Sequence, residues 1–206
     1  MEHLRYVARA RGLPTSAAVF ETAYGLESLI NNSAWLLLAC RRVLERQYTC
    51  APLWWICANV VTAIEPRETL HRLMAEFKAD RTEQITEDLV TGLDSPVYVF
   101  EVLAAGKDDD GIVVLADFGT LQEIESAIEA EVPVWAMCAV GRRLPNGLWS
   151  ALSRIALSYQ GGGPRVDFVP ANLITRVVTA DGLQPVAVLA QADSPNAPEL
   201  LSKSAI

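Results

Sequence analysis

What the chain has little of narrows the reading first. Among 206 residues there are only two histidines, His3 and His71, and four cysteines, Cys40, Cys50, Cys57 and Cys138. No two cysteines form a C-x-x-C pair and no histidine stands at ligand spacing from them, so no zinc or other metal site is expected. Bases are also scarce, 17 Lys and Arg against 25 Asp and Glu, giving a net charge of -8. A nucleic-acid partner would call for a basic footprint, and none is present. The sequence has no G-x-G-x-x-G, and Gly161-Gly162-Gly163-Pro164 lacks the Lys and Ser/Thr of a P-loop, so no nucleotide fingerprint and no cofactor are indicated. That triple-glycine run reads as a loop. Long apolar runs are missing too. The uncharged stretch from Gln47 to Ile64 is interrupted by Pro52 and Asn59 and falls short of the ~20 apolar residues of a membrane span, so it reads as a buried helix. The opening residues carry Glu2, Arg5 and Arg9 and do not resemble a secretion signal. A reducing cytoplasm is the expected compartment, with no membrane partner.

What is present in excess is apolar character. Hydrophobic residues make up 51% of the chain, more than a domain of this size needs for its own core, which points to a homo-oligomer. The order of patterns divides the chain into a helical part over 1–91, a second part over 92–190 and a tail over 191–206. In the first part, Pro14-Thr15-Ser16 is a helix start. The helical stretch to Gln47 is broken at Asn31-Asn32-Ser33, and Pro52 opens the buried helix at a first-turn position. Arg67 to Val90 keeps Leu70, Leu73, Met74, Phe77, Ile85 and Leu89 on one face, predicting one long helix closed at Thr91-Gly92.

From Leu93 onward short β-branched runs alternate with helical ones, the pattern of parallel β-α units. Ile112–Ala116 and Val132–Val140 read as buried strands, Leu148–Ser158 as a helix, and Val166–Phe168 and Ile174–Val178 as further strands. Thr120-Leu-Gln-Glu123 has the form of a capping box opening a helix at Leu121. Pro96–Leu103 is strand-like by propensity, yet Asp94-Ser95-Pro96 resembles a helix cap and Ala104-Ala105-Gly106 a helix end, and the reading leans to helix. The fold class is therefore α/β: a helical N-terminal part followed by a reduced Rossmann-like parallel sheet domain.

In open α/β sheets ligands bind beyond the carboxyl ends of the strands. After the Ile112 strand come Asp117, a candidate proton-transfer carboxylate, and Gly119 and Thr120 at a helix start suited to an anion. After the Val132 strand come Gly141, Arg142 and Arg143, whose adjacent guanidiniums could clamp a phosphate, although exposed arginines ordinarily pair with surface acids. Ser95 could face the same crevice or simply cap.

These pieces resemble the initiation factor 2B regulatory subunits and their relatives, the methylthioribose-phosphate and ribose-bisphosphate isomerases. Asp167–Pro185 (DFVPANLITRVVTADGLQP) is similar to that family's Asp-x-Thr-Pro, Leu-Ile and Thr-Glu-x-Gly segment. Gly119-Thr120, a helix and VPVWAMCAV are similar to its Gly-Thr, helix and strand unit, and CAPLWWICANVV to an apolar helix of its N-terminal domain. Thr91–Leu103 matches the Thr-x-x-x-Ser loop and helix that open its Rossmann-like part. The isomerases carry a cysteine in that loop; here the loop is Gly92-Leu93-Asp94-Ser95. Ala116-Asp117 matches the family's Gly-Ala-Asp with the catalytic aspartate, or else Asp117 stands at the lysine of its Asn-Lys-x-Gly-Thr. The Rossmann-like part is also shorter than usual by about one β-α unit. The resemblance implies a non-catalytic or regulatory protein that binds a phosphorylated sugar or nucleotide and associates with its own copies. Its alternatives are a pentose-phosphate aldose–ketose isomerase, with Asp117 moving the proton and Arg142 and Arg143 on the phosphate, and a structural subunit without ligand.

Overall fold

The computed structural model describes residues 2–10, 13–158 and 165–201. The run Gly161-Gly162-Gly163-Pro164 lies outside them. Six helices come first: α1 (Glu2–Arg9), α2 (Thr15–Glu27), α3 (Ser33–Arg46), α4 (Ala51–Thr62), α5 (Pro66–Ala79) and α6 (Thr82–Thr91). The break between α2 and α3 falls at the asparagines, where the Asn32 side chain accepts from the Trp35 amide at 3.1 Å and starts α3. Helix α4 is the uncharged stretch. It is buried on almost every side, including Trp54, Trp55, Ile56 and Cys57, and α2, α3 and α5 pack around it. Among the described residues no helix is long and apolar enough to cross a membrane.

The single helix expected over Arg67–Val90 is two. Asp80 separates them: its Oδ1 accepts from the Thr82 amide at 3.0 Å and the Thr82 hydroxyl at 2.6 Å, capping α6. Apolar spacing continues through the break although α5 packs on the helical core and α6 against the parallel sheet, which is why spacing alone predicts one helix.

The second part holds β1 (Tyr98–Glu101), β2 (Ala104–Lys107), β3 (Ile112–Asp117), α7 (Thr120–Glu129), β4 (Val134–Met137), α8 (Asn146–Ser158), β5 (Val166–Pro170), β6 (Arg176–Thr179), β7 (Gly182–Gln184) and α9 (Pro198–Leu201). Four strands form a sheet in the order β1-β4-β6-β7, with β1, β4 and β6 parallel and β7 antiparallel. The remaining three form an antiparallel sheet, β2-β3-β5. Two sequence expectations change here. Pro96–Leu103 is not helical: Tyr98–Glu101 pairs with Val134–Met137, so the β-branched and aromatic content decides over the cap-like Asp94-Ser95-Pro96. The Ile112 strand is a strand, but it lies outside the parallel sheet because Asp108–Gly111 turns it back on β2 as a hairpin. What remains parallel is a three-stranded core, consistent with the reduced Rossmann-like reading.

The antiparallel sheet is apolar on both faces. Val113 and Leu115 of β3, Ala104 of β2 and Val166 and Phe168 of β5 face the helical core. Ile112, Val114 and Ala116, with Ala105 and Val169, face a second core shared with α7 and the parallel sheet. Strand alternation thus serves two cores at once. The first core also recruits Leu148, Trp149 and Leu152 of α8 and Ala197 and Leu200 near α9. The described part of the stretch expected as a tail, 191–201, therefore folds back, and the Arg41 side chain donates to the Glu199 carbonyl at 2.9 Å.

Trp149 lies so close to β2 that a Cβ on Gly106 would stand 2.3 Å from its ring. Gly106→Ala should therefore lower unfolding free energy by ~3 kcal/mol, the upper end of overpacking costs. Urea denaturation measures it, and a change under ~0.5 kcal/mol would show that α8 can retreat from β2.

Candidate functional site

The carboxyl ends of the parallel strands are where a ligand crevice belongs in this class of sheet. Beyond β4 the ladder continues one step, with Cys138 N–H donating to Val178 O at 2.8 Å, and residues 139–145 then leave the sheet along a fixed path. Val140 N–H donates to Asp80 Oδ2 at 2.9 Å, tying the loop to the cap of α6. Gly141 turns it with φ +77, lying flat on Trp55 of α4; a Cβ there would stand 2.9 Å from the indole. Both the positive φ and the contact require glycine, a structural reason for Gly141 that involves no ligand. The loop then runs beside β2, with Ala105 N–H to Arg142 O and Leu144 N–H to Ala105 O, each 2.8 Å.

Arg142 and Arg143, expected to clamp one phosphate together, go to different partners. Arg142 is buried, its side chain 7% exposed; Nη2 pairs with Glu101, the last residue of β1, and Nη1 reaches Leu103 O at 3.5 Å. Its Nε–H is buried with no hydrogen-bond partner among the described residues. Arg143 is engaged by Asp193: Nε donates to Oδ1 at 2.9 Å, the amide to Oδ2 at 3.0 Å, and the Asp193 amide returns to Arg143 O at 2.8 Å. Burial works against the Arg143 charge, but the Asp193 contacts outweigh it and raise its pKa above the ordinary arginine value. Beside them the buried Cys138 thiol is pushed up to about 12, by burial first and then by the Asp193 charge. It is a protonated core thiol at neutral pH, and so is Cys57, held well above the ordinary thiol value by its hydrogen bond with Cys40 and by burial.

Asp117, Gly119 and Thr120 belong to the antiparallel sheet and α7. Ala105 lies between Arg143 on one side and Val114 on the other. Asp117 is three residues beyond Val114, so it stands on the order of 10 Å across and 10 Å along from the arginine loop. It is exposed, paired in register with Val166, and next to Phe118, over whose ring the Arg165 guanidinium sits at 5.3 Å. Gly119, φ +98, occupies the N-cap of α7. The capping box does not form. Asp167 of β5 accepts from the Gly119 amide at 2.8 Å and the Leu121 amide at 3.0 Å, while Glu123 accepts from the Tyr98 hydroxyl. Glycine at the cap moves Thr120 one place into the helix, where it is buried, and the orphan amides are met from across the sheet. Burial, reinforced by the Glu123 carboxylate, raises the Tyr98 phenol above its ordinary value. Ser95 is exposed in the turn before β1, at the amino end of the parallel sheet and opposite Arg142. Among the described residues no group of three or more His, Cys, Asp or Glu is placed to hold a metal ion.

The sequence assigns no site role to Glu101, Asp193 or Asp80, and Asp167 enters it only through the family resemblance. Glu101 was within reach: read as a strand, Pro96–Leu103 places it at a strand's carboxyl end, where the rule that selected Arg142 applies equally. Asp193 and Asp167 act across 46 to 50 residues of chain with no local signal, while Asp80 reaches Val140 across 60 residues and Thr82 only two residues on.

Comparison with solved structures finds about nine tenths of the chain in one fold. A chain of the tetrameric eIF2B-beta2-delta2 complex from C. thermophilum superposes with a TM-score of 0.67 at 14% identity, over 91% of this chain and 90% of that one. Translation initiation factor eIF-2B of Pyrococcus horikoshii OT3 gives 0.64 at 11% identity, over 89% and 96%. The eIF2B beta subunit of Chaetomium thermophilum gives 0.62 at 12%, over 91% and 88%. No family model and no curated protein matches the sequence. The chain has the fold of the eIF2B subunits.

If Asp167 is the true cap of α7, Asp167→Ala should cost ~1–2 kcal/mol in urea denaturation, whereas Glu123→Ala should stay within ~0.5 kcal/mol. Equal losses would restore the capping box. The Cys138 pKa gives a pH test. In the unfolded chain this thiol ionises near its ordinary value of 9.0, and in the folded chain only near 12, so folding stability falls as pH rises between the two. The slope from this group is about 1.4 kcal/mol per pH unit. Denaturation at pH 8 and pH 10.5 should show the fall, and Cys138→Ala should reduce it; an undiminished slope places the titrating group elsewhere.

Proposed function

We propose that this chain is a non-catalytic protein of the eIF2B-like type that associates with its own copies and takes a phosphorylated small molecule, a sugar phosphate or nucleotide, at the carboxyl edge of its parallel strands. The observation that carries the non-catalytic reading is the one-to-one matching of charges at that edge. Arg142 is paired by Glu101 and Arg143 by Asp193. Asp117, the carboxylate an isomerase would use, is solvent-exposed beyond a different sheet. Isomerisation needs a base and an acid within hydrogen-bond reach of adjacent carbons, and Asp117 has no such neighbour among its described contacts.

Self-association is supported by apolar surface. Tyr6, Tyr24, Trp35, Ile64, Phe118 and Leu157 are each more than half exposed, Ile64 at 95%. Surface of this kind, in a chain already rich in apolar residues, favours burial against another protein. The superposed C. thermophilum chain comes from a tetrameric complex. The ligand reading is supported by Arg142, whose buried guanidinium retains an unused Nε–H.

Three measurements test this. Sedimentation velocity at micromolar concentration should give a dimer or larger species, and a clean monomer overturns the self-association. Thermal unfolding against ribose phosphates and nucleotides should show stabilisation by at least one, since a ligand at 100 times its dissociation constant adds about 2.7 kcal/mol. Absence of any shift overturns the ligand. Turnover of a pentose phosphate that is lost in Asp117→Asn would overturn the non-catalytic assignment.

A further inference from the structure

Arg142 is an unusual place to leave a hydrogen-bond donor idle. Its side chain is 7% exposed, and a guanidinium taken that far out of water is tolerated when its donors are matched. Here Nη1 makes only a 3.5 Å contact with Leu103 O, Nη2 is taken by a single oxygen of Glu101, and Nε is unmatched among the described residues. The Nε and Nη2 hydrogens form the parallel fork that an oxyanion with two oxygens can engage at once. Glu101 uses half of it.

Glu101 itself is held lightly. Its side chain is 45% exposed, and among the described residues it pairs with Arg142 alone. A carboxylate that already faces water loses little by turning into it. By contrast, Arg142 cannot follow. Its backbone is fixed by Ala105, and the loop around it by the Asp80 bond to Val140 and the close seat of Gly141 on Trp55. One partner of the ion pair is rigid and the other is free to leave, and both stand at the carboxyl end of β1.

We propose that Glu101 is a displaceable stopper on Arg142: a phosphate monoester dianion takes its place, accepting from Nε–H and Nη2–H together while the Glu101 carboxylate swings into solvent. No bond is made or broken covalently. This rests on the phosphorylated-ligand reading and adds to it a gate, because the stopper competes with the ligand for Nη2 and repels it. Arg143 is left out of the site, being bound through its side chain and its amide to Asp193.

The test uses the full chain, inorganic phosphate and ribose 5-phosphate as probes, and uncharged ribose as control, at constant ionic strength. In the wild type, the nitrogen-15 and proton signals of Arg142 Nε–H, identified by their loss in Arg142→Lys, should move as either phosphate is added and stay still with ribose. Calorimetric titration should show Glu101→Gln binding both phosphates at least ~10-fold more tightly than wild type, equal to about 1.4 kcal/mol. If phosphate binds but the Nε–H signal does not move, or Glu101→Gln binds no more tightly, the stopper is overturned and the ligand reading survives at another position. If neither wild type nor Glu101→Gln responds to either phosphate, both are overturned. Should Glu101→Gln fold poorly, Glu101→Asp, which keeps the charge but is one methylene short of Arg142, replaces it with the same expected direction; the wild-type signal decides independently of either Glu101 variant.

Discussion

The structure depends on β3 having no solvent face. A half-buried strand normally divides its residues between core and water. Here Val113 and Leu115 close the helical core while Ile112, Val114 and Ala116 close the core of the parallel sheet and α7. Neither core is complete without the wall that β3 and its neighbours provide. The two parts that the sequence suggests as separate bodies therefore share a wall, and the antiparallel sheet joins them more than it divides them. The hairpin turn at Asp108–Gly111 is what makes this possible, since it withdraws β3 from the parallel sheet and lays it on β2.

The second organising constraint is the fixed course of residues 138–145. Three unrelated contacts hold it: an amide on Asp80, a glycine against Trp55, and a bridge to Ala105. Two of these reach the helical part and one the antiparallel sheet. The loop that carries both arginines is positioned by elements from the whole chain, as a binding site requires if its donors are to be held within small tolerances. At the Arg142 pair, that rigidity belongs to the guanidinium, while the Glu101 carboxylate faces water.

The helical part was legible in outline because its signals are local: Pro14, Pro52, Pro66 and the asparagines before α3 each mark a boundary through backbone chemistry. The exception, Asp80, acts partly at a distance. The strands of the second part were legible as strands, apart from β1, where a cap-like Asp94-Ser95-Pro96 competed with good β-formers and pairing with β4 decided the outcome. Which sheet a strand joins was not legible, because Ile112–Asp117 is equally apolar in either. The candidate site was half legible. Composition and strand-end position led to Arg142 and Arg143, but their partners Glu101 and Asp193 depend on contacts over 41 and 50 residues, which no spacing rule encodes. Asp167, quoted for its resemblance, turned out to cap a helix that Thr120 appeared able to cap for itself.

The hold of Asp193 on Arg143 also sets an order of events. During synthesis Arg143 leaves the ribosome 50 residues before its carboxylate does. Until then its charge has no partner and stays hydrated, although the contacts with Asp80, Trp55 and Ala105 that fix the rest of the loop are already at hand. Ala197 and Leu200 arrive in the same short interval and fill the last positions of the helical core. The nascent chain thus carries an open carboxyl edge and an unfilled core together, and one stretch of nine residues, from Asp193 to Leu201, closes both.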